Sequence, residues 1–411
     1  MEKVKETINN KLNKSAKFLM ASDLIYTITA LFAETFLVAY FLKITDQNIT
    51  QIALYWIIVY SLKAVLQLVM GKFIKTNPSI RTKILSLGIV IRALFIMFIF
   101  ILGDNLATNF VIVAIFCGIS ETLYWSTHEL LFVDVTTNSN RKDYTAIKQM
   151  LSTVIKIVAP IVLGSSIELY SFSKIAIYIF ALSVIQIFLS LKIKPEDFST
   201  DNNGSKYNII NYISMLKMKK PQKLIQFYKT SFAFGIVRNV PQTLVTIVTI
   251  MTFKTSLNLG ILTTIFSIFS ITSIYIFKKC NKQNSYRKYL FILSSLMVIG
   301  VLGLLLDISK TTLIIYSFAN AVSIGIFDAA YNTQKGNLIK ICNVEKYNVE
   351  HIIIGEQFTE YGRVVGFTLM LIAGIIGSLI SFKILLLLAT LCVPIFTKLL
   401  ISVDEKAESK S

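Results

Sequence analysis

Long apolar runs, separated by short polar breaks, set the pattern of this chain. Twelve runs are long enough to cross a bilayer as helices, which takes about 20 residues at about 1.5 Å rise each. The expected spans are 17–43, 49–71, 83–103, 108–134, 146–168, 172–193, 224–253, 256–278, 288–307, 311–334, 351–378 and 380–402. Apolar positions within them are continuous rather than alternating, which favours helices over the strands of a membrane barrel. The first run, Phe18 to Leu42, exceeds a signal core of about 7–15 residues and no small-x-small site follows it. It is expected to stay as a span.

The largest polar break falls in the middle. Six spans precede it and six follow, dividing the chain into a first half (1–193), a basic cytoplasmic linker (194–223) and a second half (224–411). The linker carries Pro195, Pro221, an Asn-Asn-Gly turn at 202–204, and Lys217, Lys219, Lys220 and Lys223. Within it, Asn208 to Met218 has the pattern of a short amphipathic helix on a membrane surface, with an ordinary solvated linker as the alternative. The halves echo one another. Gln149, Thr153 and Lys156 recur as Glu356, Glu360 and Arg363 at an offset of 207, both sets at i, i+4, i+7 on one helix face. Tyr124 and His128 recur as Asp328 and Asn332 at an offset of 204.

Polar positions deep in the spans are the candidate chemistry, because a charge at the bilayer centre costs about 2.5–3.5 kcal/mol and must face protein or a wet cavity. On span 1, Asp23, Thr27, Ala30 and Glu34 share a helical face, with Glu34 the deep one. On span 4, Glu121, Tyr124, Trp125 and His128 form the richest polar-aromatic stripe, with His128 near enough to the inner end to be solvated. Glu34 and Glu121 are the proton-coupling candidates, since a desolvated carboxylate can carry a proton near neutral pH. A structural pair of Glu121 with Arg92 or Lys156 is the alternative. Lys63, Tyr124, Trp125, Lys156, Arg238, Asn239 and Asp328 are the substrate-binding candidates. Arg238 is the preferred contact of the second half, because a guanidinium grips a carboxylate or phosphate bidentately, and Pro241 beside it permits a kink. Lys63 and Lys156 either bind an anionic group or neutralise Glu34 or Glu121. Glu360 and Arg363, at i, i+3, are expected to pair structurally, and Arg92 to balance Glu121. The eight deepest charges are Lys63, Arg92, Lys156, Arg238 and Arg363 against Glu34, Glu121 and Glu360, a surplus of two cations that suits an anionic or zwitterionic solute.

Composition agrees with a membrane protein: 54% of the 411 residues are hydrophobic and the mean hydropathy is +0.66. The net charge of +18 sets orientation rather than signalling nucleic acid. With the N-terminus inside, the outer loops hold only Lys43, Lys174, Lys254, Lys310 and Lys383, while most of the remaining Lys and Arg lie inside. That bias places both termini in the cytoplasm and draws the inner face to anionic lipids. The four cysteines are scattered, so neither a metal site nor disulfides are expected. No G-x4-G-K-[ST] loop is present, and His128-Glu129 lacks the second His of a zinc protease, which argues against ATP hydrolysis and against an enzyme. No ring of repeated filter residues suggests a channel.

The 6+6 repeat, with charges concentrated on spans 1, 2, 4, 5, 7, 10 and 11, resembles the major facilitator superfamily. In that family spans 1, 4, 7 and 10 line a midplane cavity, 2, 5, 8 and 11 flank it, and the rest support it. The resemblance implies an all-α integral membrane protein with twelve transmembrane helices in two pseudo-repeat halves. It further implies a monomeric, multi-pass permease of the cell membrane that needs no cofactor and carries a small solute by alternating access with proton coupling. A non-transporting sensor, scaffold or lipid scramblase on the same fold is the alternative. The family's loop between spans 2 and 3 has a Gly, an Asp four residues on and a basic cluster. Here Gly71, Arg81 and Lys83 match, but Lys75 stands where Asp belongs, which puts the gating ion pairs of that loop in question. Of the antiporter motif of span 5, Ala159-Pro160 and Gly164 remain. The stretch Glu34-Thr35-Phe36 to Phe41-Leu42-Lys43 is similar to the YqgE-like branch of bacterial permeases of this superfamily.

Overall fold

The computed structural model describes residues 12–408 apart from 47, 77, 138–139, 195–206, 220 and 280–282. Among the described residues, twelve long apolar helices account for the fold. They are α1 (Lys14–Ile44), α2 (Ile49–Thr76), α3 (Pro78–Leu102), α4 (Phe110–Val135), α5 (Arg141–Tyr170) and α6 (Phe172–Leu191). The second set is α7 (Gln222–Phe253), α8 (Ser256–Lys279), α9 (Gln283–Leu306), α10 (Lys310–Ile341), α11 (Asn348–Ile376) and α12 (Leu379–Glu408). Helices satisfy every backbone group within the segment, which the interior of a bilayer requires. Each expected span coincides with one of them to within a few residues. The largest departures lie at the end of the bundle that carries both termini, where α10 runs to Ile341 and α12 to Glu408. Helical hydrogen bonding there continues past the apolar stretch into polar sequence.

Helix ends follow local chemistry. The Asn13 side chain caps α1 by accepting from Ala16 N at 2.6 Å. Gly377 ends α11 in the left-handed region at φ 66°. Helix α1 is interrupted by a π-helical turn, Phe32–Phe36. Such turns insert a residue, rotate the helix beyond them, and recur at functional positions. Between the halves, Ile209–Lys219 forms a short connecting helix, so this part of the linker is helical as read. Most of the remaining polar linker, 195–206, lies outside the described residues.

Helices α2 with α11, and α5 with α8, carry the contact between the halves. The apolar cores divide unevenly. At the end away from the termini one core draws on both halves, joining Phe36, Leu42, Ile52 and Phe172 to Leu244, Ile247, Phe367 and Leu385. At the terminus-bearing end there are two cores. One belongs to the first half (Leu19, Leu85, Leu131, Tyr144) and one to the second (Leu224, Phe227, Leu290, Ile326, Leu400). The halves therefore share one apolar core at one end and keep separate cores at the other. Small residues make close contact between the halves possible: Gly164 and Gly260 bring the backbones of α5 and α8 together, so that a Cβ on Gly260 would strike the Pro160 carbonyl.

Candidate functional site

Between the halves lies a central cavity of about 360 Å³. Its polar lining comes from α1 (Glu34), α2 (Lys63), α4 (Glu121, Trp125), α7 (Arg238, Asn239) and α11 (Arg363). Trp56 and Tyr60 stack against each other at 5.3 Å and face Phe367, forming an aromatic wall. Towards the terminus-bearing end the lining continues through Glu129, Leu130 and Val349.

The two candidate carboxylates have different surroundings. Glu121 accepts from Arg92 Nη1 at 2.6 Å and from the Tyr26 hydroxyl. The same guanidinium donates to Thr29 Oγ1 at 3.0 Å and lies 4.4 Å from the Tyr26 ring centre. Glu121 is thus clamped, and Arg92 is the partner that holds it rather than Lys156. Glu34 sits in the π-helical turn, exposed to the cavity, and among the described residues it has no hydrogen bond or ion pair. It does not act on one face with Asp23, as the helical spacing suggested. The π turn intervenes, and Asp23 is buried away from the cavity against α4 and α5. There it receives Tyr124 at 2.5 Å, His128 at 2.6 Å and Lys148 at 2.5 Å.

This cluster corrects two further expectations. His128 is buried rather than solvated, because Asp23 and Lys148 close over it. Tyr124 leaves the cavity for the α1–α4 contact, its ring stacked on Tyr26 at 3.8 Å, while Trp125, 41% exposed, is the aromatic of this α4 stripe that lines the cavity.

Lys63 also departs from expectation. Its ammonium lies 3.2 Å from Glu360 of the opposite half, not on Glu34 or Glu121. Glu360 accepts from Arg363 Nη1 at 2.6 Å, so the anticipated i, i+3 pair is there, shared with a third member. Arg363 Nε donates to Asn239 at 2.8 Å, and Asn239 donates to Tyr60 at 3.0 Å. The result is one buried network across the midplane, from α2 through α11 to α7 and back to α2. Sequence spacing within one helix could not reveal it, because its joins lie between halves.

Arg238 is 43% exposed at its side chain and sits 3.4 Å from Asp328, a long and loose pair beside the cavity. Lys156 is exposed on α5, within electrostatic reach of Asp328 and Arg238 but outside the lining. These placements remove the expected cation surplus. With Lys156 set aside and Asp328 beside Arg238, the deep cations Lys63, Arg92, Arg238 and Arg363 face Glu34, Glu121, Glu360 and Asp328, four against four.

Several working contacts escaped the sequence reading. Lys75 of α2 reaches Glu350 of α11 at 2.8 Å, a pair between halves at the terminus-bearing end. The loop that lacks the family's Asp therefore keeps an ion pair with its sign reversed. Arg81 caps the Ile74 carbonyl at 2.7 Å and meets Asp134 at 2.5 Å. Lys335 bridges Glu356 at 2.7 Å and Glu129 of the other half at 3.6 Å. Asp134 and Glu350, acidic residues near helix ends, were the available signal for the first two. Among the described residues no group of three or more His, Cys, Asp or Glu is placed to hold a metal ion.

A sequence profile of the Major Facilitator Superfamily matches residues 23–338. A curated relative, the uncharacterized protein YqgE of Bacillus subtilis (strain 168), is 23% identical over 196 residues. That match covers 46% of this chain and 45% of the relative, so the chain spans under half of the relative's length. Among solved structures, a bacterial homologue of the iron transporter ferroportin in its inward-facing state superposes with a TM-score of 0.69 at 14% identity, covering 96% of this chain and 99% of that one. The same homologue in its outward-facing state gives 0.62 at 15% identity, over 95% and 99%. The nucleoside transporter NupG gives 0.67 at 10% identity, over 95% of this chain and 98% of its own. At these identities the likeness is one of fold.

Proposed function

The chain belongs to the Major Facilitator Superfamily, and from that premise we propose that it carries a small zwitterionic solute across the cell membrane by proton-coupled alternating access, as a monomer. The observation that carries this reading is a cavity between the halves into which Glu34 faces, the one lining carboxylate among the described residues with no hydrogen bond or ion pair. Glu34 can take up and release a proton without breaking a buried ion pair. Glu121 cannot, because Arg92 and Tyr26 hold it. In this account Glu34 couples and Glu121 fastens α4 to α1 and α3.

Solute recognition falls to the groups with spare capacity. Arg238 is only loosely engaged by Asp328 and is free to grip a carboxylate or phosphate. Trp56, Tyr60 and Trp125 supply apolar contact and cation–π capacity for the solute's other end. The balance of deep charges favours a solute that is neutral overall. With the termini in the cytoplasm, as the distribution of Lys and Arg indicates, the end with separate cores faces inward, which supports an inward-facing state.

The test is uptake of a panel of zwitterionic solutes into proteoliposomes under an imposed pH gradient. Glu34→Gln is expected to lose gradient-driven accumulation by at least about tenfold while retaining counterflow exchange, a coupling group being dispensable for exchange but not for uphill transport. Accumulation that survives in Glu34→Gln, or that ignores the gradient in the unaltered protein, overturns the coupling role.

A further inference from the structure

The central cavity leaves unused the outward face that α7 and α11 present beside the connecting helix. An apolar cavity of about 760 Å³ lies there, lined by Ile213 and Lys217 of the connecting helix, Tyr228 and Lys229 of α7, and Ile354 and Phe358 of α11. A second cavity of about 370 Å³ shares Lys229 and Phe358 with it and continues to Ile236 of α7 and Ile395 of α12. Together they make one apolar track, which follows α7 from Ile225 to Ile236 for about 16 Å at 1.5 Å per residue. Helices α7, α11 and α12 are membrane spans, so hydrocarbon is the medium that meets this track.

The rim of the track is basic. Lys217 and Lys229 are exposed, and among the described residues neither has a hydrogen bond or ion pair. Lys219 and Lys223 lie close by in sequence. The connecting helix is fixed in place by Tyr212, which is buried and bonds the Tyr228 hydroxyl at 2.6 Å and His351 Nδ1 at 3.2 Å. Burial pushes the Tyr212 hydroxyl up to about 12, so it stays protonated and keeps these bonds. The helix turns Ile210 and Met218, 76% and 77% exposed, away from the protein, as an interfacial helix does.

We propose that this groove binds an anionic glycerophospholipid from the leaflet at the terminus-bearing end, its phosphate between Lys217 and Lys229 and one acyl chain along Tyr228 and Phe358 towards Ile236. The charge of the rim selects an anionic headgroup, and the depth and apolarity of the track select a chain rather than a soluble phosphate. The site also has a route to the clasp between the halves. Just before the connecting helix, the Asn208 N–H donates to Glu350 at 2.8 Å, the same carboxylate that receives Lys75 of the other half. A lipid that steadies the connecting helix thereby steadies the clasp. The proposal holds whether or not the central cavity carries a proton-coupled solute.

Native mass spectrometry of the full-length protein, titrated with phosphatidylglycerol and phosphatidylcholine of equal chain length, tests it. Phosphatidylglycerol is expected to bind about tenfold more tightly, and Lys217→Gln/Lys229→Gln to bring the two within about twofold, as expected for two Lys at a membrane surface. The control Lys43→Gln/Lys254→Gln, at the opposite end, is expected to keep the preference. In the unaltered protein, a photoactivatable phosphatidylglycerol is expected to label residues 213–229 and 354–358, and glycerol phosphate not to compete. Equal binding of both lipids, an unchanged preference in the groove variant, a lost preference in the control, labelling elsewhere, or competition by glycerol phosphate overturns the assignment.

Discussion

Arg92 is 1% exposed; among the described residues Glu121 is its ion-pair partner, and Tyr26 and Thr29 also accept from its guanidinium. Removing one partner of such a pair leaves a charge in a medium that cannot solvate it, at a cost of about 3–5 kcal/mol, whereas replacing both partners by apolar groups is close to neutral. Glu121→Gln is therefore expected to lower the melting temperature of the purified protein well below that of Glu34→Gln. Arg92→Met combined with Glu121→Leu is expected to recover most of the loss. A thermal-unfolding comparison of the four proteins checks this, and equal effects of Glu121→Gln and Glu34→Gln would remove the distinction between clamped and free carboxylate. The sequence marked both residues as important but did not say which was free. That depends on what stands opposite across a helix contact. The same limit explains Lys63, whose partner Glu360 lies in the other half, and His128, which looked solvated until Asp23 and Lys148 covered it.

At the scale of helices, the spans were readable because twenty apolar residues in a row leave the backbone no alternative to a helix. Their ends were less so, since hydropathy stops where the polar flank begins and hydrogen bonding does not. The π turn at Phe32–Phe36 was invisible, because no residue type demands one. Close helix contacts carry a clearer prediction. A Cβ on Gly235 would strike the Thr359 carbonyl, and one on Gly362 the Phe232 carbonyl, so α7 and α11 touch backbone to backbone at this pair. Gly336 has nothing within 4 Å. Gly235→Ala and Gly362→Ala are expected to cut the yield of monodisperse protein severely. Gly336→Ala is expected to be neutral or to stabilise by at most about 1 kcal/mol through helix propensity. Size-exclusion profiles of the three variants distinguish the cases.

At the scale of the whole molecule, two halves share one apolar core at one end and keep separate cores at the other. The repeat of polar stripes in spans 4 and 10, and 5 and 11, points to two halves but not to the end at which they share a core, because the stripes are the same whichever end is closed. The central claim is that this molecule rocks between two such states about its midplane network. Electron-electron distance measurements between spin labels test it without knowledge of the solute. One label pair, Asp143→Cys with Asn337→Cys, spans the halves at the terminus-bearing end, and another, Lys43→Cys with Lys254→Cys, spans them at the opposite end, each in a background with the four native cysteines replaced. On a change of pH across the range in which Glu34 exchanges its proton, the two distances are expected to shift in opposite senses, and in Glu34→Gln to stay fixed. A single distance at each end that no pH alters, or two distances that lengthen together, would contradict alternating access in this protein.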